Sequence, residues 1–399
     1  MSKAAAGAPR HPLPERVVEA IRGQASLLEG VERALRAGTL AHAYLILGAR
    51  GAGRGRLATA IAQMALCTVE PNGCTVEPNG CTVEPNGCTV EPQGCGRCPD
   101  CKQARRLAHP DLQLLYPATK EEEKDAERGQ RLVEEYAADR FRLLGASPTA
   151  SIGIDQVRGL KEAVAKSRVS GPRRVAIVFD AGRLTEQAGQ SALKLVEEPP
   201  PDTLLLLTAE DTASLLPTLV SRCQRLRVRA LPREEVAGLL EQELAVPPRE
   251  ARLLANLSGG SLGRAIEMLS EGLLELRDRI VPLVSAPLSD ARAVEQAIAR
   301  FGGPLDAATG QRAVELLLLW HRDLLAARSG VDPARWVHAD RAGEIEQAAR
   351  RMPLKEVRRR IELLEEFSDA LAHRVNPELS LHAALARIGS GASAGELWP

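Results

Sequence analysis

In the first half of the chain, segments with apolar residues at helical spacing alternate with short unbroken apolar runs. Residues 16–37 and 56–66 carry apolar side chains every three to four positions, the spacing of amphipathic helices. Between them, Ala43–Leu47 is an unbroken apolar run that ends at Gly48, which is typical of a strand buried on both faces. The sequence therefore predicts a strand, a glycine-rich loop and a helix, in that order.

Two later apolar runs, Arg174–Phe179 and Thr203–Thr208, predict further strands separated from their neighbours by helical stretches. This alternation indicates an α/β fold with a doubly wound parallel sheet. After Pro232 the spacing is helical almost to the end of the chain. We expect an α/β domain over 1–230 with a charged insert at about 118–148, a helical lid domain over 231–275, an all-α domain over 276–387 and a disordered tail over 388–399.

The composition limits the classes of function. Only 3% of the 399 residues are aromatic and aliphatic residues dominate, which favours packed helices with one sheet. Lys plus Arg equals Asp plus Glu at 52 each, so no overall field draws the chain to DNA or to an anionic membrane. No apolar run approaches the roughly 18 residues of a membrane span. We expect a cytoplasmic protein with no membrane partner.

Residues 48–55 form a glycine-rich loop with the frame of a P-loop, whose amides hold phosphates at a helix N-terminus. Its glycines are Gly48, Gly51, Gly53 and Gly55. A working loop has Lys at the position of Arg54, to reach the β and γ phosphates, and Ser or Thr at the position of Gly55, to hold Mg²⁺. Since glycine offers no metal ligand, we expect a degenerate P-loop. The plainer alternative is a tight connection that binds nothing.

Seven of the eight cysteines lie between residues 67 and 101. Cys95, Cys98 and Cys101 follow a C-x₂-C-x₂-C spacing and supply three thiolates of a structural, tetrahedral zinc site. The fourth ligand is ambiguous, because the unit CTVEPNG occurs three times and is followed by CTVEPQG, which repeats the candidates Cys67, Cys74, Cys81 and Cys88. Loop-closure entropy favours Cys88 over Cys67 by about 1 kcal/mol. The plainer alternative is a set of reduced cysteines without a metal.

Several short motifs together resemble the bacterial clamp-loader subunits of the AAA+ family. They are His42–Leu45, the cysteine cluster, Leu184-Thr185, Ser191–Lys194 with Glu197–Pro200, and Ser221-Arg222-Cys223. The resemblance spans about residues 16–275. It implies a P-loop ATPase-like AAA+ core with a zinc module inserted within 67–101, a helical lid and a C-terminal helical collar. It also places the first zinc ligand at the end of the P-loop helix, which is Cys67 here.

The resemblance implies roles for individual residues. Counting back from Leu184-Thr185, Phe179 stands where the family has the acid that holds Mg²⁺, and Asp180 matches the acid that follows; the plainer role of Asp180 is that of a helix N-cap. Arg222 matches the arginine finger that family members insert into the next subunit's ATP site, a task that suits a planar and permanently charged guanidinium. Arg264 matches a nucleotide sensor of the lid, which beside an inactive site would be a relic.

Gly55 and Phe179 both remove a Mg²⁺ ligand, and we therefore predict a subunit of the delta-prime type. It has no ATPase activity of its own, carries a structural zinc and uses Arg222 in trans. The implied partners are the tau/gamma motor subunits and the delta subunit, with the sliding clamp and primer-template DNA reached through the complex. One alternative is an active tau/gamma-like motor. Another is a zinc-dependent nucleic-acid-binding module with a modest basic face of Arg97, Lys102, Arg105 and Arg106.

Overall fold

The computed structural model describes residues 22–68, 96–138, 150–285, 292, 294–296, 306–372 and 376–390. The chain divides into two compact units, one of residues 1–245 with 259–267 and the other of residues 246–258 with 268–399. The segment 231–275, predicted to be one helical lid, is shared between these units. The other predicted domain boundaries stay predictions.

The first unit is built on a parallel sheet of five strands in the order β2-β3-β4-β1-β5. The strands are β1 Ala43–Leu47, β2 Leu112–Leu115, β3 Arg174–Val178, β4 Thr203–Ala209 and β5 Gln224–Arg227. The predicted parallel α/β core is confirmed. The sequence reasoning missed β2 and β5, because each has four residues and neither is an unbroken buried run.

Helices cover both faces of this sheet. The helices of the first unit are α1 Ala25–Arg36, α2 Arg54–Leu66, α3 Pro99–Arg105, α4 Lys120–Lys124, α5 Ala126–Ala138, α6 Ile154–Ala165, α7 Glu186–Glu197, α8 Pro217–Arg222 and α9 Arg233–Leu244. Successive side chains of a strand point to opposite faces. Tyr44 and Ile46 of β1 accordingly lie in a core with α1, α2 and α5, while Leu45 and Leu47 lie in a second core with α6 and α7. Burial on both faces explains why β1 is continuously apolar.

The second unit is helical in the part of the chain that the structure describes. Its helices are α10 Pro248–Leu257, α12 Leu273–Ser285, α13 Ala307–Arg328, α14 Ala342–Arg351, α15 Leu354–Ala372 and α16 Pro377–Ser390, and α11 Leu262–Ser270 crosses the boundary between the units. The long helix α13 packs against α12, α14, α15 and α16, with Trp320 fully buried. Most of the predicted tail, 388–399, lies outside the described residues. Among the described residues no helix combines the length and apolar character that a membrane crossing requires.

Candidate functional site

The glycine-rich loop joins β1 to α2, in the order strand, loop, helix that the sequence predicts. Gly51 and Gly53 have positive φ angles of 73° and 99°, a conformation that glycine adopts without a Cβ clash. Gly53 is the N-cap of α2, so the free amides of the first helical turn face the loop. The order strand, loop and helix is therefore confirmed, and the binding of phosphate by this loop stays a prediction.

Arg54, at the position of the P-loop lysine, is turned toward acidic side chains of the same unit. It is only 7% exposed, and its Nη2 lies 3.5 Å from Asp180 Oδ1 and 3.7 Å from Glu210 Oε1. Burial lowers the pKa of Arg54, while these two carboxylates act in the opposite direction. Its Nη1 is buried and finds no hydrogen-bond partner among the described residues. The charge that would meet phosphate is instead balanced within the chain.

Aromatic side chains fill the space beside Gly55, the position of the Mg²⁺-binding hydroxyl. A Cβ on Gly55 would lie well under 3.0 Å from the hydroxyl oxygen of Tyr136 and 3.1 Å from Cε1 of Phe179. Both rings are buried and pack edge to face, with centroids 5.3 Å apart. Glycine has no side chain, phenylalanine has no donor atom, and the oxygen of Tyr136 is a phenol, not one of the carboxylates that usually bind Mg²⁺ in proteins. The side chains next to Gly55 therefore supply packing and no carboxylate ligand.

Asp180 does not act as a side-chain N-cap. It has a left-handed backbone with φ 51°, and its side chain makes no cap hydrogen bond to the 3₁₀ turn that follows. Its amide donates to Oγ1 of Thr208 at 2.9 Å, and its carboxylate lies 3.5 Å from both Arg54 and Arg183. The N-cap interpretation is therefore wrong, and Asp180 is a counter-ion of Arg54.

The start of α11 packs onto the glycine-rich loop within the first unit. Ser261 Oγ donates to the carbonyl oxygen of Arg50 at 2.8 Å, and the amide of Gly263 donates to the carbonyl oxygen of Gly51 at 3.1 Å. A Cβ on Gly51 would collide with the backbone nitrogen of Arg264. Arg264, the predicted sensor, thus lies beside the loop, as a sensor position requires, although its nucleotide role stays a prediction.

Arg222 lies at the surface, where α8 ends. Leu219 and Cys223 are buried on either side of it and fix the backbone, while the Arg222 side chain is 41% exposed. Its Nη1 donates to the carbonyl oxygen of Thr218 at 3.0 Å, and its Nη2 lies 2.8 Å from Glu197 Oε1 at the end of α7. The guanidinium is therefore accessible and held in one orientation.

Three cysteines come together beside the end of α2. The sulfur atoms of Cys67, Cys98 and Cys101 all lie within 4.8 Å of one another. Thiolates bound to one zinc ion at about 2.3 Å are about 3.8 Å apart, so a small contraction would complete these three bonds. Contact with Cys67, together with burial, raises the pKa of Cys101, as expected for thiols crowded together without a cation. Cys88 and Cys95 lie outside the described residues. Among the described residues, the cluster consists of Cys67, Cys98 and Cys101.

A buried polar network ties the cysteine helix α3 to the sheet. Asp100 in α3 accepts from Thr68 Oγ1 at 2.7 Å and lies 3.1 Å from His109 Nε2. Asp111, at the start of β2, accepts from three consecutive amides, those of residues 169–171, at 2.8 to 2.9 Å. Burial opposes the charged form of Asp111, but these amides hold its pKa below the ordinary value. The network anchors the cysteine module and carries no catalytic arrangement.

The sequence reasoning assigned no role to three residues of the site, although Glu197 belongs to one of the motifs that carry the family resemblance. Tyr136 belongs to the charged insert, for which we predicted no function; its spacing from Leu132 and Val133 gave a weak signal of a buried helical face. Glu210 follows β4, and Glu197 ends α7. Their contacts with Arg54 and Arg222 join segments that are distant in sequence, which no local pattern reveals.

Comparison with known proteins gives a consistent set of relatives. Residues 23–232, slightly more than half of the chain, match the family described as DNA polymerase III, delta subunit, and residues 304–389 match its C-terminal family. The chain is 28% identical over 362 residues to DNA polymerase III subunit delta-prime of Haemophilus influenzae, covering 87% of this chain and 90% of that protein. It is 31% identical over 249 residues to the delta-prime subunit of Pseudomonas aeruginosa, 60% of each chain. Subunit tau of Escherichia coli is 24% identical over 256 residues, 32% of its own length.

Proposed function

The chain belongs to the DNA polymerase III delta-subunit family and is a clamp-loader subunit. From this premise we propose that it hydrolyses no ATP itself. We also propose that it supplies Arg222 to the ATP site of a neighbouring subunit. It would act as the fixed member of the complex. The tau/gamma motor subunits and the delta subunit would be its neighbours, and it would reach the sliding clamp and primer-template DNA through them.

The packing around Gly55 is the observation that carries this proposal. Hydrolysis needs Mg²⁺ between the β and γ phosphates, held by a hydroxyl at the P-loop and by an acid that here corresponds to the position directly after β3. Here these positions are Gly55 and Phe179, and the rings of Phe179 and Tyr136 occupy the space beside Gly55. A phosphoryl-transfer site without its metal ligands loses its main source of charge stabilisation. ATP turnover by this chain alone is therefore not expected.

Arg222 supports the second half of the proposal. An arginine finger must be accessible to another subunit and must keep its charge in a low-dielectric site. Arg222 is partly exposed, and its backbone is fixed between buried neighbours. A finger of this kind adds a large factor to the rate of its target site, on the order of 10³ or more in related enzymes.

The cysteine cluster supports a structural zinc. Cys67, Cys98 and Cys101 approach one another closely, and Cys95 would supply a fourth thiolate at the C-x₂-C spacing. Four thiolates leave no open coordination position, so the metal would stabilise the fold and perform no chemistry. This assignment uses Cys67 in preference to Cys88.

An active tau/gamma-like motor is the second candidate, because a tau subunit is among the relatives. It would need a Mg²⁺ ligand near Gly55. The described residues nearest to a Cβ at that position are Tyr136 and Phe179, and neither carries a carboxylate. We therefore favour the non-hydrolysing subunit.

ATP turnover tests the proposal directly. The purified chain is assayed alone, and then with the motor subunits, the delta subunit, the clamp and primed DNA. The chain alone should be inactive, while the mixture should hydrolyse ATP and lose at least about 90% of its rate with Arg222→Ala. Arg225→Ala, an exposed arginine three residues further on, is the matched control and should keep the rate. Turnover by the chain alone would favour the motor, and equal rates for both variants would exclude the finger.

A further inference from the structure

Glu197 makes an ion pair with Arg222 that joins two helices of the first unit. Glu197 is the last residue of α7 and Arg222 is the last residue of α8. Glu197 Oε1 lies 2.8 Å from Nη2, while Nη1 donates to the carbonyl oxygen of Thr218 one turn earlier in α8. The guanidinium thus contacts its own helix through Nη1 and the end of α7 through Nη2.

These two contacts suit an arginine whose orientation must be set before a neighbouring subunit docks. A free arginine has many rotamers, and ordering it during docking costs conformational entropy. The two contacts favour one orientation of the guanidinium before docking, so that less entropy remains to be lost in the transition state. Both side chains are about 40% exposed, 41% for Arg222 and 37% for Glu197. An exposed pair of this kind is weak, and a phosphate can therefore compete for the guanidinium.

We propose that Glu197 is a positioning residue, which holds Arg222 in the orientation that the neighbouring subunit's ATP site requires. The inference rests on the proposed role of Arg222 in trans. It assigns a role to the first acid of Glu197-Glu198 and gives none to the second. Glu198 is exposed, and its described bond is made by the backbone, from its amide to the carbonyl oxygen of Lys194.

The experiment compares Glu197→Ala and its neighbour Glu198→Ala in the full mixture of subunits, clamp and primed DNA. Glu197→Ala should lower kcat by about three- to tenfold with KM for ATP unchanged, because an orientation realised only in the transition state affects kcat. Glu198→Ala should retain the wild-type kcat. Glu197→Gln, which keeps an oxygen acceptor and loses the charge, should fall between wild type and Glu197→Ala. Native mass spectrometry should show the same subunit composition for all three variants.

A double variant shows whether Glu197 acts through Arg222. If it does, Glu197→Ala should have no further effect on kcat in the Arg222→Ala background, since the group that it orients is gone. Wild-type kcat for Glu197→Ala, a raised kcat, or an equal loss with Glu198→Ala would overturn the inference. An additive loss in the double variant would also overturn it. If Arg222→Ala itself leaves the rate unchanged, the proposed function fails; a loss with Arg222→Ala and none with Glu197→Ala refutes only the positioning role.

Discussion

Replacing Gly55 by alanine measures how tightly the metal-binding end of the P-loop is filled. The added methyl group would lie well under 3.0 Å from the Tyr136 hydroxyl oxygen and 3.1 Å from a ring carbon of Phe179. Overpacking of this kind costs about 1–3 kcal/mol. Gly55 lies inside α2 at a negative φ, so alanine returns up to about 1 kcal/mol through helix propensity. We expect the variant to lose up to about 3 kcal/mol of unfolding free energy.

A double-mutant cycle with Tyr136→Phe separates the collision from other effects. Without the hydroxyl, the nearest remaining atom of residue 136 is the ring carbon Cζ at 3.4 Å, an ordinary contact. Gly55→Ala should then be less destabilising in the Tyr136→Phe background, where only the 3.1 Å contact with Cε1 of Phe179 stays tight, and the coupling energy between the two substitutions should be about 1–3 kcal/mol. Gly159→Ala in α6 is the control, because a Cβ there meets nothing within 4 Å. It should stabilise the protein by about 0.5–1 kcal/mol in both backgrounds.

The assay must report on the first unit. Trp320 and Trp336 belong to the second unit, so their fluorescence would follow the wrong part of the chain. Amide hydrogen exchange of peptides from α2 and α5, measured across a urea series, reports the local opening free energy. Additivity of the two substitutions within about 0.5 kcal/mol would refute the packing that we describe at Gly55.

Three further predictions concern stability in acid, metal content and the buried polar network around Asp111. Burial lowers the pKa of His321 to about 4; Arg360 acts in the same direction, and Leu317 and Glu356 act against it. The folded state therefore favours the neutral imidazole. The contribution of His321 to the unfolding free energy should be complete above the unfolded pKa near 6.5 and should fall by about 3 kcal/mol between pH 6.5 and 4. Urea midpoints across that range should drop less for His321→Leu than for wild type, whereas His382→Gln should follow wild type. Metal analysis of the purified protein should find about one zinc per chain. The zinc should be lost with Cys67→Ser or Cys101→Ser and retained with Cys88→Ser or Cys223→Ser. If it is lost with Cys88→Ser and retained with Cys67→Ser, then Cys88 and not Cys67 is the ligand. Asp111→Asn weakens three charge-assisted bonds and should cost about 1.5–3 kcal/mol, seen as faster exchange of amides 169–171, while Asp125→Asn at an exposed position should leave them protected.

The local patterns that the sequence carried were enough to predict the parallel α/β core. The strand Ala43–Leu47 was recognisable because burial on both faces makes all five positions apolar, and four glycines within residues 48–55 indicated the loop that follows. The strands β2 and β5 were missed because partial exposure removes the continuous run. Motifs also indicated the family, which the comparisons confirm.

By itself, the sequence determined which ligand types are absent at the P-loop, because the identity of a residue fixes whether it can bind Mg²⁺. Only the tertiary structure decided what occupies the site instead. Tyr136 reaches Gly55 from the distant charged insert, and Asp180 and Glu210 converge on Arg54 from two different strand ends. Likewise, Glu197 meets Arg222 only because α7 packs against α8. Such contacts depend on how the sheet brings distant segments together, and hydrophobic periodicity, which reports only which face of an element is buried, contains no information about them.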